Sequence, residues 1–317
     1  MQRIFLALAL AANLGAQEAP PKSMFVFQNN FWLNLHQFLR GEVYRSNAKI
    51  APGLDPASLN ESGRAAWAGA LAGYQDLARR NLIFDETLRR IANTLATAAD
   101  TDQLPDGLLE PGIAAALNAA APIYRARIWP ARQRDNELWI ASARKLLEQH
   151  EAAMAPGIAL AYQIPWPSEP ILVDAVGECG PASAITHDGP RGFAAHTQAG
   201  AASPRNTGDA PLELLLHEAA HADGVEDRII AMLNAAAAKQ KLQAPENLWH
   251  AVIMFTSGTL ARRELARTGA EPYVPYAYKY NQYTPKERSA LERDWQPYLD
   301  GRLSREEALE KLVRDSQ

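Results

Sequence analysis

A single cysteine in 317 residues removes two possibilities at once. Cys179 cannot close an intrachain disulfide, and one thiol cannot build a thiolate metal site. With no histidine assigned as its base, it reads as a buried structural thiol rather than a nucleophile. A basic excess is missing too. The 32 Lys and Arg stand against 36 Asp and Glu, for a net charge of −4. That balance carries no nucleic-acid footprint, so no nucleic-acid partner is expected. Long apolar runs are absent beyond the first residues. Arg3, the run from Ile4 to Ala12 and the cleavage site Leu14-Gly15-Ala16 read as a signal peptide over residues 1–16, too short for a membrane span. Gln17 stands where a bacterial lipoprotein needs cysteine. The expectation is a mature chain starting near Gln17, secreted or periplasmic, with no integral membrane segment after signal removal. Without disulfides, such a chain relies on its own core. At 317 residues and 47% hydrophobic content it can bury one of useful size.

After a proline-bearing leader from Glu18 to Lys22, the first half reads as a helical array over residues 17–155. Met24 to Leu39 is aromatic-rich and helical after Asn30. Asp55-Pro56 opens a helical pattern carried by Trp67, Leu71, Tyr74 and Leu77. Asp85 caps a second helix with Leu88, Ile91 and Leu95 on its buried side. Leu108 to Ala121 and Asp135 to Ala153 are two more. The pattern changes after Pro156. Ile158 to Ile164, Ile171 to Val176 and Gly192 to Gln198 read as short strands. Helices are expected over Val225 to Leu242 and Pro245 to Gly269, and after the capping boxes at Thr284 and Ser304. The expected fold class is α+β, mainly helical, with a zincin-like core over residues 156–317 in which a small sheet lies beside one key helix. The two regions can also form one continuous domain.

That helix carries His217-Glu218-Ala219-Ala220-His221. Histidines four apart stack on one helix face, where their nitrogens can share a zinc ion. The glutamate between them is placed to take a proton from water attacking a carbonyl. Asp209 is the expected cap, Pro211 fits the first turn and Gly224 the stop. Leu212, Leu215, Leu216, Ala219 and Ala220 form a stripe that buries one side and leaves the histidines facing a cleft. Zn2+ is therefore the expected cofactor, with His217 and His221 as ligands and Glu218 as general base. The edge of a strand before such a helix can hold an extended peptide by backbone hydrogen bonds, and Gly192 to Thr197 is the candidate edge.

Leu212 to His221, Leu248 to Gly258 and Tyr273 to Tyr278 together resemble a group of secreted bacterial proteins with zincin motifs. These are similar in active-site pattern to the gluzincin-like metallopeptidases. The likeness covers residues 125–317 and Phe31 to Phe38. It implies zinc hydrolase chemistry and no particular substrate; a peptide or protein substrate is the expectation from the HExxH chemistry and the candidate strand edge. Gluzincins take their third ligand from a downstream glutamate, whereas here the best-placed residue is a histidine. Two readings of that ligand compete. His250, early on the Pro245 to Gly269 helix, completes a three-histidine set, with Trp249 packing the ligand helix in place. Asp227 instead completes an H-E-x-x-H-x-x-G-x-x-D pattern with Gly224 at the turn, though that pattern needs a methionine turn and Met232 and Met254 sit in helical segments. Glu226 and Glu264 are the remaining carboxylates. Tyr276, from its place in the Pro-Tyr-Ala segment, is the candidate hydrogen-bond donor to the oxyanion. His36, His150 and His187 read as hydrogen-bonded structural residues, and His196 as a strand histidine. The rival functions are a zinc-binding scaffold without turnover and a zinc amidase acting on a non-peptide amide.

Overall fold

The computed structural model describes residues 23–164, 169–179, 183–222, 224–269 and 271–317. The signal peptide expected over residues 1–16 and the leader from Glu18 to Lys22 lie outside the described residues. Among the described residues no helix is long and apolar enough to cross a membrane.

The fold is α+β and mainly helical, as expected. Strand β1 (Phe25–Gln28) leads into helix α1 (Phe31–Asn47), whose N-cap Asn30 accepts a hydrogen bond from the Leu33 amide at 2.9 Å. Helices α2 (Glu61–Gly73), α3 (Gln75–Arg79), α4 (Glu86–Ala96) and α5 (Pro111–Arg127) complete the first array. Their core gathers Trp32, Trp67, Tyr74, Tyr124 and the apolar face of α4. Asp85 caps α4 through the Leu88 amide, as read from the sequence. Asp55-Pro56 opens only a short 3-10 turn, and Asn60 caps the helix proper.

One expected strand is a helix. Ile158 to Ile164 falls mostly in α6, which runs from Trp129 to Tyr162. Pro156 removes one intrahelical hydrogen bond there, yet the helix continues. Met154, Ile158, Ala161 and Tyr162 recur at helical spacing and are all buried in the second core. Packing along the whole stripe outweighs the one lost bond. The residue 155 boundary thus lies inside α6.

Strands β2 (Ile171–Val176), β3 (Ala184–His187) and β4 (Ala195–Gly200) join β1 in a sheet of order β1-β2-β4-β3. The first three in that order are parallel, and β3 runs antiparallel to β4. Alternation separates the two faces. Phe25, Phe27, Ile171, Val173, Ala175, Ala195 and Ala199 face the second core. The opposite face carries Asp174, His196 and Gln198, which is why it is held by hydrogen bonds. The second core is completed by α7 (Ala210–Glu218), α8 (Val225–Lys239), α9 (Leu248–Arg267) and the C-terminal helices. Those are α10 (Tyr276–Lys279), α11 (Pro285–Ala290), α12 (Gln296–Leu299) and α13 (Arg305–Asp315). Both capping boxes form, at Thr284 and Ser304.

Candidate metal centre

Helix α7 differs from its expected one-sided burial. Every residue from Pro211 to Ala220 is buried, including Glu213, His217 and Glu218. It is a core helix held by α6 and α9, and one side of it, Glu213, Leu214, His217 and Glu218, borders a cavity. Asp209 has helical backbone angles and makes no side-chain cap. Past Glu218 the helix tightens into a 3-10 turn, Ala219–His221, so His221 sits on the turn. Gly224 takes the left-handed conformation, φ 79°, but as the N-cap of α8 rather than the stop of α7.

The two motif histidines converge. Their Nε2 atoms stand 3.3 Å apart. His250, in the first turn of α9, brings its ring to 5.1 Å from that of His217 and 5.4 Å from that of His221, centroid to centroid. One ring nitrogen from each of the three lies within 4.8 Å of the others. The buried Leu248 and Val252 anchor this end of α9, and the Trp249 ring packs edge-on against both His221 and His250. Two nitrogens, each about 2.0–2.1 Å from one tetrahedral zinc, are separated by about 3.3 Å, so the spacing suits that ion. Burial and mutual proximity keep His217 well below the usual histidine pKa, and burial lowers His250 to about 4. Both rings are therefore neutral near pH 7, the form that ligates.

The remaining ring nitrogens divide. His221 Nδ1 lies 3.0 Å from a Glu226 carboxylate oxygen, the arrangement that orients a ligating imidazole. His217 Nδ1 is buried with no hydrogen-bond partner among the described residues. Asp227 lines the same cavity but stands outside the three-histidine group. Glu264 is bound to His150 and Arg267 elsewhere on α9. The Glu218 carboxyl faces the cavity; burial raises its pKa, while His221 and the Thr186 hydroxyl pull it back down.

Tyr276 lines the cavity as well, with its hydroxyl 2.8 Å from Ser183 Oγ. Its position depends on a residue the sequence reading passed over. The buried Glu213 carboxylate accepts from the Tyr276 amide at 2.9 Å and from the Tyr273 hydroxyl at 2.7 Å. Gly258 makes the approach possible, because a Cβ there would stand 2.8 Å from both Glu213 Oε1 and Pro275 Cβ. Burial raises the Glu213 carboxyl to about 7, against the pull of those two donors. Its signal was an acidic residue in the apolar run Leu212 to Leu216, one turn before His217.

The strand edge also differs. Gly192 to Thr197 is not an edge: the strand runs Ala195–Gly200 and lies between β2 and β3. Strand β3, missed in the sequence because it is four residues of mixed polarity, is one edge of the sheet, and residues 183–188 line the cavity. His196 is fully buried, with Nε2 2.8 Å from Asp174 and Nδ1 2.9 Å from Asn93. It cannot reach a substrate. Cys179 is buried with its thiol on the Gln198 carbonyl, and burial pushes its pKa up, the reverse of an activated nucleophile. The cavity holds about 550 Å³, enough for part of a peptide.

Comparison of the chain with protein-family models, with curated proteins and with solved structures returned no match.

Proposed function

We propose that this chain is a zinc-dependent hydrolase with a zincin-like core, acting on peptide bonds. The observation that carries the reading is the convergence of His217, His221 and His250 beside a buried carboxylate, Glu218, that is not itself among the ligands. His217, His221 and His250 would hold the zinc, which would supply a Lewis acid for the carbonyl and a lower pKa for water. Glu218 accepts the proton released as water adds to the carbonyl carbon. The same residue then returns it to the leaving amine. The Tyr276 hydroxyl, fixed by Ser183 and by Glu213 through its backbone, is the donor offered to the carbonyl oxygen as charge builds there. The free edge of β3 gives an extended peptide its main-chain hydrogen bonds, in place of the Gly192 to Thr197 segment. With the signal peptide expected over residues 1–16, the reading places the activity outside the cytoplasm, in the secreted or periplasmic fraction.

The test is Glu218→Gln. Zinc stoichiometry should stay at the wild-type value, while hydrolysis of a responsive peptide falls by on the order of a hundredfold or more. Retained zinc with unchanged turnover would remove Glu218 from the base role. A wild type that binds zinc but cleaves no member of a peptide library moves the reading to a scaffold, or to an amidase if a non-peptide amide is cleaved instead.

A further inference from the structure

Large apolar side chains left in water ask for an explanation when they cluster at a site. Ile83 is 47% exposed and Phe84 76% exposed; they are consecutive, and both line the cavity that holds His217, His221 and His250. Among the described residues, the other exposed large apolar side chains, such as Tyr44, Leu138 and Leu160, lie outside that cavity. The Ile83–Phe84 pair sits on the turn between α3 and α4, in the helical first half. Its backbone is fixed: Asn81 Oδ1 accepts from the Ile83 amide at 2.9 Å and from the Phe84 amide at 3.1 Å, and the Asn81 carbonyl accepts from Asp85 at 3.0 Å. Asp85 in turn caps α4. The turn therefore presents two rigidly based apolar side chains towards a cleft whose walls include Ile185, Leu214, Trp249 and Met254.

We propose that the Ile83–Phe84 turn is the specificity element of the site, selecting peptides with a large aliphatic or aromatic side chain beside the bond to be cut. The inference rests on the hydrolase reading above and adds the substrate class. A peptide laid along β3 projects alternate side chains away from the strand. One directed at the turn removes its own apolar surface and that of Phe84 from water together. A small or polar side chain leaves Phe84 exposed and gains nothing. Pocket discrimination of this kind is worth about 10–200-fold.

The experiment uses zinc-loaded wild type, Phe84→Ser and the control Leu138→Ser, another exposed apolar position outside the cavity. The substrates are peptides from one template that differ at a single position as Ala, Leu or Phe. The wild type should favour Leu and Phe over Ala by about tenfold or more in kcat/KM. Phe84→Ser should bring that ratio close to one, and Leu138→Ser should keep it. The high exposure of both positions leaves the fold unaffected, which thermal unfolding checks. A second arm measures equilibrium binding of the same peptides to zinc-loaded Glu218→Gln with and without Phe84→Ser. If the wild type cuts nothing but binding shows the Phe84-dependent apolar preference, the hydrolase reading fails and the specificity element stands. If cleavage occurs with a ratio that ignores Phe84, the reverse holds. If neither arm shows an apolar preference that depends on Phe84, the inference is overturned.

Discussion

Seven histidines occupy two kinds of surroundings in this chain. His36, His150, His187 and His196 each face an oxygen: the Tyr74 hydroxyl, the Glu264 carboxylate, the Asp188 carbonyl and the Asp174 carboxylate. His217 and His221 turn their Nε2 atoms towards each other and towards the His250 ring. Burial does not separate the groups, since His217 is only 8% exposed and His196 is fully buried. The partner does. A ring nitrogen aimed at an oxygen is satisfied by one proton. Three nitrogens aimed at a common point repel one another when protonated and are completed by a cation. The first group therefore holds the fold, and the second is available for chemistry.

The sharpest way to break this division is His250→Ala. Removing one of three ligands should lower zinc affinity by more than a hundredfold, more than the loss of any outer partner. Asp227→Ala should leave affinity and stoichiometry unchanged, because Asp227 lines the cavity without joining the cluster. Metal titration of both variants decides. The opposite pattern would transfer the third ligand to Asp227.

Much of the candidate site was legible because its chemistry is local. The four-residue spacing of His217 and His221 needs no tertiary knowledge, and His250 could be weighed as a histidine early on the next long helix but one. The part of α6 from Asp135 to Ala153, the caps at Asp85, Thr284 and Ser304, and the α8 and α9 spans were legible for the same reason. What escaped depends on distant partners. Strand β3 is four residues of mixed polarity, given its role only by pairing with β4. Strand β1 pairs with β2 across more than 140 residues. Glu213 looks like an error in an apolar stripe until the loop at Tyr273 to Tyr276 folds onto it. Pro156 read as a break because its local cost is visible in sequence, whereas the packing of Ile158 and Tyr162 that overrides it is not.

The oxygen-paired group should show itself in acid. Burial, helped by the Arg40 charge, lowers His36 to about 3, and burial likewise lowers His187 to about 4. Both folded values lie below the unfolded value of 6.5, so between them the unfolded chain binds the extra protons. Stability is whole above pH 6.5 and falls as pH drops towards the folded values. At pH 5 the His36 term alone amounts to about 2 kcal/mol. Glu213 acts in the opposite sense, its raised folded pKa favouring the fold as it protonates below about 7. A comparison of variants isolates the histidine. The stability difference between wild type and His36→Gln, measured by urea unfolding, should shrink by about 2 kcal/mol between pH 7 and pH 5. A difference that stays constant over that range would mean His36 does not titrate as a buried neutral ring.

The smallest effect sharpens the comparison at its border. His221 belongs to the converging group through Nε2 but has an oxygen partner on its other nitrogen, Glu226 at 3.0 Å. If zinc occupies the Nε2 side, Nδ1 carries the proton and the carboxylate fixes both the tautomer and the ring angle. Such outer partners contribute about 10–100-fold to metal affinity. The Glu226 side chain is 35% exposed, so water screens it and competes for its oxygens, which puts the expectation at the lower end. Glu226→Gln should therefore weaken zinc about tenfold without changing stoichiometry. Its amide oxygen can still accept from Nδ1–H, so Glu226→Leu, which cannot, should weaken zinc further. Competition titration against a chelator ranks the three proteins. Equal affinities would show that Glu226 neither orients nor polarises His221, and would leave the ring held by the Trp249 edge and the turn at Ala219–His221 alone.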